Sequence, residues 1–142
     1  MSKKPLHKTV GDLMSREIIS MRETDRAAAA LREMKVSAIR HLPIVDAEDR
    51  LVGIVSASDL VASAGRTDDP EIRTIMTRDV HTVRADMPAE RAVATMIDQK
   101  FNSIPVVGPG GVLVGILTAT DFLVVAYQAL TGAPIVRETG EL

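Results

Sequence analysis

Cysteine is the most informative absence from this chain of 142 residues. Without thiols the protein can form no disulfide, no thiolate nucleophile and no cysteine-based metal site. A cysteine-free chain fits a reducing compartment, and we expect a cytoplasmic location. Tryptophan is also absent, and only Phe101, Phe122 and Tyr127 are aromatic. The core must therefore be built mainly from aliphatic and methionine side chains.

Strong charge of one sign and long apolar runs are absent too. A net charge of −2 gives no general attraction to nucleic acid or to an anionic membrane. The longest apolar run, Phe122–Tyr127, is too short to span a bilayer. The three histidines, His7, His41 and His81, lack the spacing of metal ligands, and no catalytic triad or carboxylate dyad stands out. We expect neither an enzyme nor a metal site, no nucleic-acid partner and no membrane insertion.

The chain contains an internal sequence repeat. Residues Val10–Val61 align with Ile72–Leu123 at a constant shift of 62 positions, without a gap. The clearest repeated segment, Leu51–Asp59, returns as Leu113–Asp121. Such a duplication indicates a two-fold architecture, and it places paired candidate sites at equivalent positions. Each copy alone would be marginally stable, so we expect the two copies to share one core.

Each repeat has the pattern strand, helix, strand, strand, helix. An apolar stripe at i, i+3, i+4 and i+7 marks the first helix, with an aspartate as its predicted N-cap. A proline in the first hairpin strand predicts a strand start or an edge. The predicted elements of the first repeat are strand Ile18–Met21, N-cap Asp25, strand His41–Val45 with Pro43, turn Asp46–Arg50 and helix Ala57–Ala64. Those of the second repeat are strand Val80–Val83, N-cap Asp86, strand Ser103–Val107 with Pro105, turn Gly108–Gly111 and helix Ala119–Thr131.

The predicted fold class is α+β, with two repeats related by a pseudo-two-fold axis, small sheets packed together and helices outside. The first repeat covers residues 10–64 and the second covers residues 72–131. Residues 65–71 form the linker because they are rich in turn-forming and charged residues. Residues 1–9 and 132–142 are expected to be tails.

The sharpest local signal lies where each hairpin meets the second helix. One interpretation is a capping box, in which a hydroxyl at the N-cap and an acid three residues later satisfy the free amides. The other is a nucleotide site, in which the helix N-terminus and nearby hydroxyls hold phosphate while a carboxylate accepts from both hydroxyls of a ribose. The hydroxyls are those of Ser56, Ser58, Thr118 and Thr120, and the carboxylates are those of Asp59 and Asp121.

The chain resembles a tandem pair of cystathionine-β-synthase (CBS) domains, also called a Bateman module. The resemblance rests on Met14 and Met76, on Leu42–Asp46 and Ile104–Val107, and above all on the pattern Gly-x-x-(Ser/Thr)-x-x-Asp at Gly53–Asp59 and Gly115–Asp121. It covers residues 10–123, which is most of the chain. It implies adenosine-type ligands (AMP, ADP, ATP or S-adenosylmethionine) in clefts between the repeats, bound as regulators and not as a required cofactor.

The resemblance also implies which residues would line each site, because the opening strand of one repeat faces the junction of the other. Asp79, Val80 and His81 would contribute to the Asp59 site, and Glu17, Ile18 and Ile19 would contribute to the Asp121 site. Since no aromatic side chain is available there, aliphatic side chains and backbone groups would hold the adenine.

The two sites are expected to differ. Arg40 and His41 precede the first hairpin at a position where members of the family often place a basic phosphate contact. Their counterparts, Asn102 and Ser103, carry no charge. Arginine suits phosphate because its planar fork gives charge-assisted hydrogen bonds, although both residues could simply be solvated. We predict that the Asp59 site binds phosphorylated ligands better than the Asp121 site.

The predicted function is regulatory sensing of adenine nucleotides by a module that acts on a separate target protein. The run Phe122–Tyr127 is apolar on nearly every face and needs cover on more than one side. That cover is either burial within the module or a homodimer interface, which the resemblance favours. The alternatives are a constitutive dimerisation or scaffold module without a ligand, and a sensor of S-adenosylmethionine or NADH.

Overall fold

The computed structural model describes residues 8–132 of the chain. Most of both predicted tails, and His7 with them, lie outside these residues. The helices are α1 (Val10–Leu13), α2 (Ala27–Ser37), α3 (Ala57–Ser63), α4 (Ala89–Gln99) and α5 (Ala119–Thr131). The strands are β1 (Met21–Arg22), β2 (His41–Val45), β3 (Leu51–Ser56), β4 (Val83–Arg84), β5 (Ser103–Val107) and β6 (Leu113–Thr118).

The strands form two mixed sheets of three strands, which confirms the α+β class. The strand orders are β1-β2-β3 and β4-β5-β6, so the two repeats have the same topology. In the first sheet β1 runs parallel to β2, and β2 pairs with β3 as an antiparallel hairpin in which Leu42 lies opposite Val55. The predicted hairpins and second helices are all present, and helix Ala119–Thr131 has the predicted bounds.

The opening strands are shorter than predicted. The predictions Ile18–Met21 and Val80–Val83 were wrong in extent, since pairing begins only at Met21 and at Val83. Pro43 lies in the middle of β2, at a point where the strand is an edge, which confirms the second of the two predicted alternatives. This position is tolerated because β1 pairs only with the last two residues of β2, so the strand has a neighbour on one side alone at Pro43.

The predicted N-caps Asp25 and Asp86 were also wrong. The residues that precede α2 and α4 are Arg26 and Pro88, and neither caps its helix with a side chain. The first two amides of α2 instead donate to the Pro70 carbonyl (2.9 Å) and to the Asp69 carboxylate (2.9 Å). The linker therefore caps a helix that begins some forty residues before it, which no local sequence pattern could indicate.

The described residues fall into two compact units. The Asp59 unit contains residues 18–81 and 107–113, and the Asp121 unit contains residues 8–17, 82–106 and 114–132. The units are therefore not identical with the sequence repeats, because each repeat gives its opening segment to the unit formed mainly by the other. The predicted boundaries 10–64 and 72–131 therefore delimit the duplicated sequence and not the compact units.

Each unit has a core of aliphatic and methionine side chains. The buried core cluster of the Asp59 unit consists of Ala27, Ala30, Met34, Leu42, Ile44, Val55, Leu60 and Ile72. That of the Asp121 unit consists of Val10, Met14, Val83, Ala92, Met96, Ile104, Val106 and Leu117. The helix stripes predicted from the sequence supply three residues, Ala27, Ala30 and Met34, to the first core and two, Ala92 and Met96, to the second. Phe101 and Phe122 pack at the margin of the second core, where they are only partly buried.

Candidate functional site

The glycine of each Gly-x-x-(Ser/Thr)-x-x-Asp pattern allows an opening segment to approach the last hairpin strand. A Cβ on Gly53 would lie 2.9 Å from the carbonyl oxygen of Thr77, and one on Gly115 would lie 3.0 Å from that of Ser15. These distances are shorter than side chains tolerate, so glycine is required at both positions. The contact places Thr77 beside Gly53, three residues before the N-cap Ser56, and Ser15 beside Gly115, three residues before the N-cap Thr118.

Two backbone hydrogen bonds hold each opening segment in place. Thr77 exchanges N–H···O bonds with Ile54 (2.8 and 2.9 Å) in the Asp59 unit. Ser15 exchanges the equivalent bonds with Ile116 (2.9 and 3.0 Å) in the Asp121 unit. The backbone frameworks of the two junctions are thus the same.

Both junctions form complete capping boxes, which confirms the first interpretation of the motif. The Ser56 hydroxyl accepts from the Asp59 amide (3.1 Å), and Asp59 Oδ2 accepts from the Ser56 amide (3.0 Å). Thr118 and Asp121 repeat this exchange at 3.3 and 2.8 Å. A capping box does not exclude a nucleotide site, because a carboxylate has two oxygens and a hydroxyl that accepts can still donate.

Arg40 and His41 lie beside the first junction, as the sequence suggested. The Arg40 carbonyl accepts from the Ala57 amide at the start of α3 (2.8 Å), and His41 lies opposite Ser56 in the hairpin. Both side chains are exposed. Asn102 occupies the equivalent place at α5, where its carbonyl accepts from the Ala119 amide (2.9 Å). The residue whose carbonyl accepts from the first helix amide is therefore a charged arginine at the first junction and a neutral asparagine at the second.

The Asp59 carboxylate is only partly engaged. Asp59 is partly exposed. Within residues 8–132 its carboxylate accepts one hydrogen bond, which the Ser56 amide donates to Oδ2. Ser58 is exposed beside it. Across the described chain the side-chain hydroxyl of Thr77, which is also exposed, has no hydrogen-bond partner. The first junction thus presents an oxygen of Asp59 that is available to a ligand.

The Asp121 carboxylate is fully engaged. The residue is only 3% exposed, and Oδ2 accepts from both the amide (2.8 Å) and the hydroxyl (3.0 Å) of Thr118. Its other oxygen, Oδ1, accepts from the hydroxyl of Ser15 at 3.3 Å. Thr120 is exposed nearby. Sequence reasoning missed Ser15, although the shift of 62 pairs it with Thr77 and so places a hydroxyl after each opening methionine.

The remaining predicted residues lie in the units as follows. Asp79, Val80 and His81 belong to the Asp59 unit, together with the junction to which the resemblance assigns them. Glu17 belongs to the Asp121 unit and is exposed, whereas Ile18 and Ile19 are grouped with the Asp59 unit. The roles of these six residues in ligand binding stay predictions.

Two further observations concern the described part of the chain. Between Lys8 and Gly132, no three histidine, aspartate or glutamate side chains are grouped in a way that could hold a metal ion. In the same range no helix has both the length and the apolar character needed to cross a bilayer.

Comparison with known proteins defines the class of this molecule. The family model for the CBS domain matches residues 10–65 and again residues 72–128. The chain therefore belongs to the CBS domain family and carries two CBS domains in tandem.

Similar proteins include ligand-bound members of this family. The chain is 28% identical to CBSX2 of Arabidopsis thaliana, whose structure is known in complex with AMP; the match covers 87% of this chain and 98% of that one, with a TM-score of 0.79. It is also 28% identical to the CBS domain pair of protein MJ0100 in complex with 5′-methylthioadenosine and S-adenosyl-L-methionine, over 87% and 99% of the two chains, with a TM-score of 0.74.

The curated relatives are longer than this chain. An uncharacterized protein of Methanopyrus kandleri is 35% identical over 81% of this chain, and the match covers 61% of the relative. For the first relatives named as enzymes, the match covers 23% of their length. The similarity to those proteins is therefore confined to a minor part of each.

Proposed function

We propose that this protein is a regulatory module that binds an adenosine-containing ligand, with adenine nucleotides as the preferred class. The observation that carries the proposal is the first junction, where a carboxylate oxygen of Asp59, the hydroxyls of Ser56 and Ser58 and the Arg40 side chain lie in one unit. The adenosine-type ligands of CBSX2 and MJ0100 support the same class of ligand.

The chemistry of the first junction suits a nucleotide. The available oxygen of Asp59 can accept from a ribose hydroxyl, and Ser56 and Ser58 can donate to ribose or phosphate oxygens. Arg40 supplies a charge-assisted contact for phosphate, and His41 can add a donor. By the family resemblance, Asp79, Val80 and His81 would contribute to this site. If a ligand bound at the second junction, Thr118, Thr120, Asp121 and Glu17, which lie together in the Asp121 unit, would take the corresponding roles.

The module would act as a sensor and not as a catalyst. A ligand changes a conformational equilibrium only when it binds one arrangement more tightly than another. The regulated target would read that change. A cytoplasmic location rests on the absence of cysteine and stays a prediction.

A thermal-shift panel with AMP, ADP, ATP, NADH and S-adenosylmethionine tests the proposal on protein freed of co-purified ligand. A ligand at 100 times its dissociation constant should raise the free energy of unfolding by about 2.7 kcal/mol. Asp59→Ala should reduce the shift for every adenosine ligand, whereas Arg40→Ala should weaken the shift caused by AMP and leave the shift caused by S-adenosylmethionine, which has no phosphate, unchanged. If no compound shifts the protein, the sensor proposal is wrong.

The second candidate function is a scaffold that binds no ligand. Its support is that both capping boxes are complete without a ligand, so the motif already has a structural role. The two candidates differ in one outcome. A scaffold keeps its assembly and its stability in the presence of every compound of the panel.

We further propose that the module forms a homodimer through the helices of the Asp121 unit. Helix α5 contains no charged residue except Asp121, which is buried. Leu123, Tyr127 and Leu130 recur at helical spacing and are exposed, and Ile97 of α4 is exposed as well. An apolar patch of this kind is typical of an interaction surface.

Leu130→Glu tests this interface, and Val36→Glu on α2 is a matched control because the two side chains are 85% and 84% exposed. Light scattering at micromolar concentration should give the mass of a dimer for the unmodified protein and for Val36→Glu. It should give the mass of a monomer for Leu130→Glu. A monomeric unmodified protein would exclude the homodimer.

A further inference from the structure

We propose that the Ser15 hydroxyl occupies the position on Asp121 that a ribose hydroxyl would take, so that each chain binds one ligand, at Asp59, and not two. This inference rests on the proposed function. In this inference the contact between Ser15 and Asp121 closes the second site, and Ser15 therefore sets the number of ligands per chain.

The first support is the engagement of the Asp121 carboxylate. Thr118 contributes two donors to Oδ2, and Ser15 contributes one donor to Oδ1, so both oxygens already accept hydrogen bonds. At 3% exposure the residue offers almost no surface to a ligand. A ribose hydroxyl at Oδ1 would have to compete with the Ser15 hydroxyl, which already occupies one acceptor position of that oxygen.

The second support is the contrast with the equivalent pair in the other unit. Thr77 occupies the position of Ser15 and carries the same hydroxyl, but it is exposed and makes no hydrogen bond with Asp59. Asp59 is correspondingly partly exposed. The same two residue types are therefore engaged in one copy and separate in the other.

The difference does not come from the backbone. Ser15 and Thr77 each exchange two hydrogen bonds of 2.8 to 3.0 Å with the residue two positions before the N-cap, Ile116 or Ile54. Gly115 and Gly53 allow the same close approach. Since the frameworks match, the difference lies in the side chains: Asp121 accepts from the hydroxyls of Thr118 and Ser15, and a single substitution should remove the contact with Ser15.

Isothermal titration with AMP and with S-adenosylmethionine tests the inference through the number of ligands per chain. The unmodified protein should bind one ligand and Asp59→Ala none. Ser15→Ala should bind two, and the double variant Ser15→Ala, Asp59→Ala should bind one. Thr77→Ala, the matched change in the other unit, should not create a second site.

The inference fails if the unmodified protein binds two ligands per chain, if Asp59→Ala retains one, or if Ser15→Ala still binds one. In each of these cases the adenosine-sensor proposal survives, because a ligand is still bound. If none of the five proteins binds either ligand, both proposals are overturned. Urea unfolding of each variant establishes that it is folded, and Ser15→Gly gives a second route to the same loss of the hydroxyl.

Discussion

The two junctions of this protein have the same motif and the same backbone, yet their aspartates are in different states. Asp59 is partly exposed and has one engaged oxygen, whereas Asp121 is buried and has hydrogen bonds on both. The residue responsible, Ser15, is 106 positions away from Asp121 in the sequence. A motif repeated in one chain therefore does not guarantee two equivalent sites, because a residue from outside the motif can complete one of them.

The largest expected effect comes from filling the space that both motif glycines leave. Gly53→Ala and Gly115→Ala should each lower the free energy of unfolding by about 2–3 kcal/mol, because the new methyl group meets a backbone carbonyl. Urea unfolding measures the loss. Gly65→Ala is the control, since nothing lies within 4 Å of its added Cβ, and it should change stability by less than about 0.5 kcal/mol.

Equal losses for the two glycine variants would establish that the frameworks are equivalent and that the contrast lies in the side chains. A loss at Gly115 much larger than the loss at Gly53 would instead place the difference in the backbone.

Removing the two carboxylates should separate their structural roles. Asp121→Ala leaves the donors of Thr118 and Ser15 without their acceptor in a buried place and should cost about 2 kcal/mol. Asp59→Ala removes one reciprocal capping bond at a partly exposed site and should cost about 1 kcal/mol. Chemical denaturation of both variants checks the order, with the exposed Asp98→Ala as the control for loss of a charge. The reverse order would contradict the contrast between the sites.

A smaller effect is expected at the C-terminal ends of helices α2 and α4. Ala38 and Lys100 are equivalent residues, and both adopt the left-handed conformation at φ 55° and 58°. Glycine adopts this conformation without strain, so Ala38→Gly and Lys100→Gly should each stabilise the protein by about 0.5 kcal/mol. Differential scanning calorimetry should give similar increases for both, because the two helix ends are the same. A gain at one end alone would make the repeats unequal here too.

The smallest effect concerns the hairpin turns, where the repeats differ in chemistry. Desolvation raises the pKa of Asp46, but hydrogen bonds from the Arg50 amide, the Arg50 guanidinium and the Glu48 amide outweigh it, so the pKa lies below its ordinary value. The ionised carboxylate therefore stabilises the folded turn above the ordinary carboxyl pKa. This contribution is lost as the pH falls below about 4 and through the lowered pKa.

The measurement is the stability of the unmodified protein and of Asp46→Asn as a function of pH. The difference between them should be small and constant near neutrality and should disappear in acid. The second turn uses glycines at positive φ, Gly110 and Gly111, and has no carboxylate in its place. A difference that persists at pH 2 would mean that Asp46 acts through something other than its charge.

Much of the fold could be predicted because its signals are local. The hydroxyl and acid of Thr118 and Asp121 fix the start of α5, and Gly132, which adopts the left-handed conformation at φ 71°, ends the helix after Thr131. The stripes of the first helices and the two hairpins likewise follow from neighbouring residues. The duplication then confirmed each element by its second copy.

The parts that could not be predicted depend on residues distant in sequence. Asp69 and Pro70 cap α2, and the Lys8 carbonyl accepts from the first amide of α4, so the aspartates beside these helices were the wrong choice. The engagement of Asp121 by Ser15 is of the same kind. Composition reveals that a hydroxyl and a carboxylate exist, but only the folded chain determines which of them meet.

The exchange of opening segments between the units affects the order in which parts of the chain can fold during synthesis. All parts of the Asp59 unit have been synthesised once residue 113 has been added, whereas Val10 and Met14 belong to a core that needs Leu117. At ribosomal rates of about 5–20 residues per second, the first helix waits on the order of ten seconds for its partners. The segment that carries Val10, Met14 and Ser15 is thus buried late, and Ser15 reaches Asp121 only when nearly the whole described chain exists.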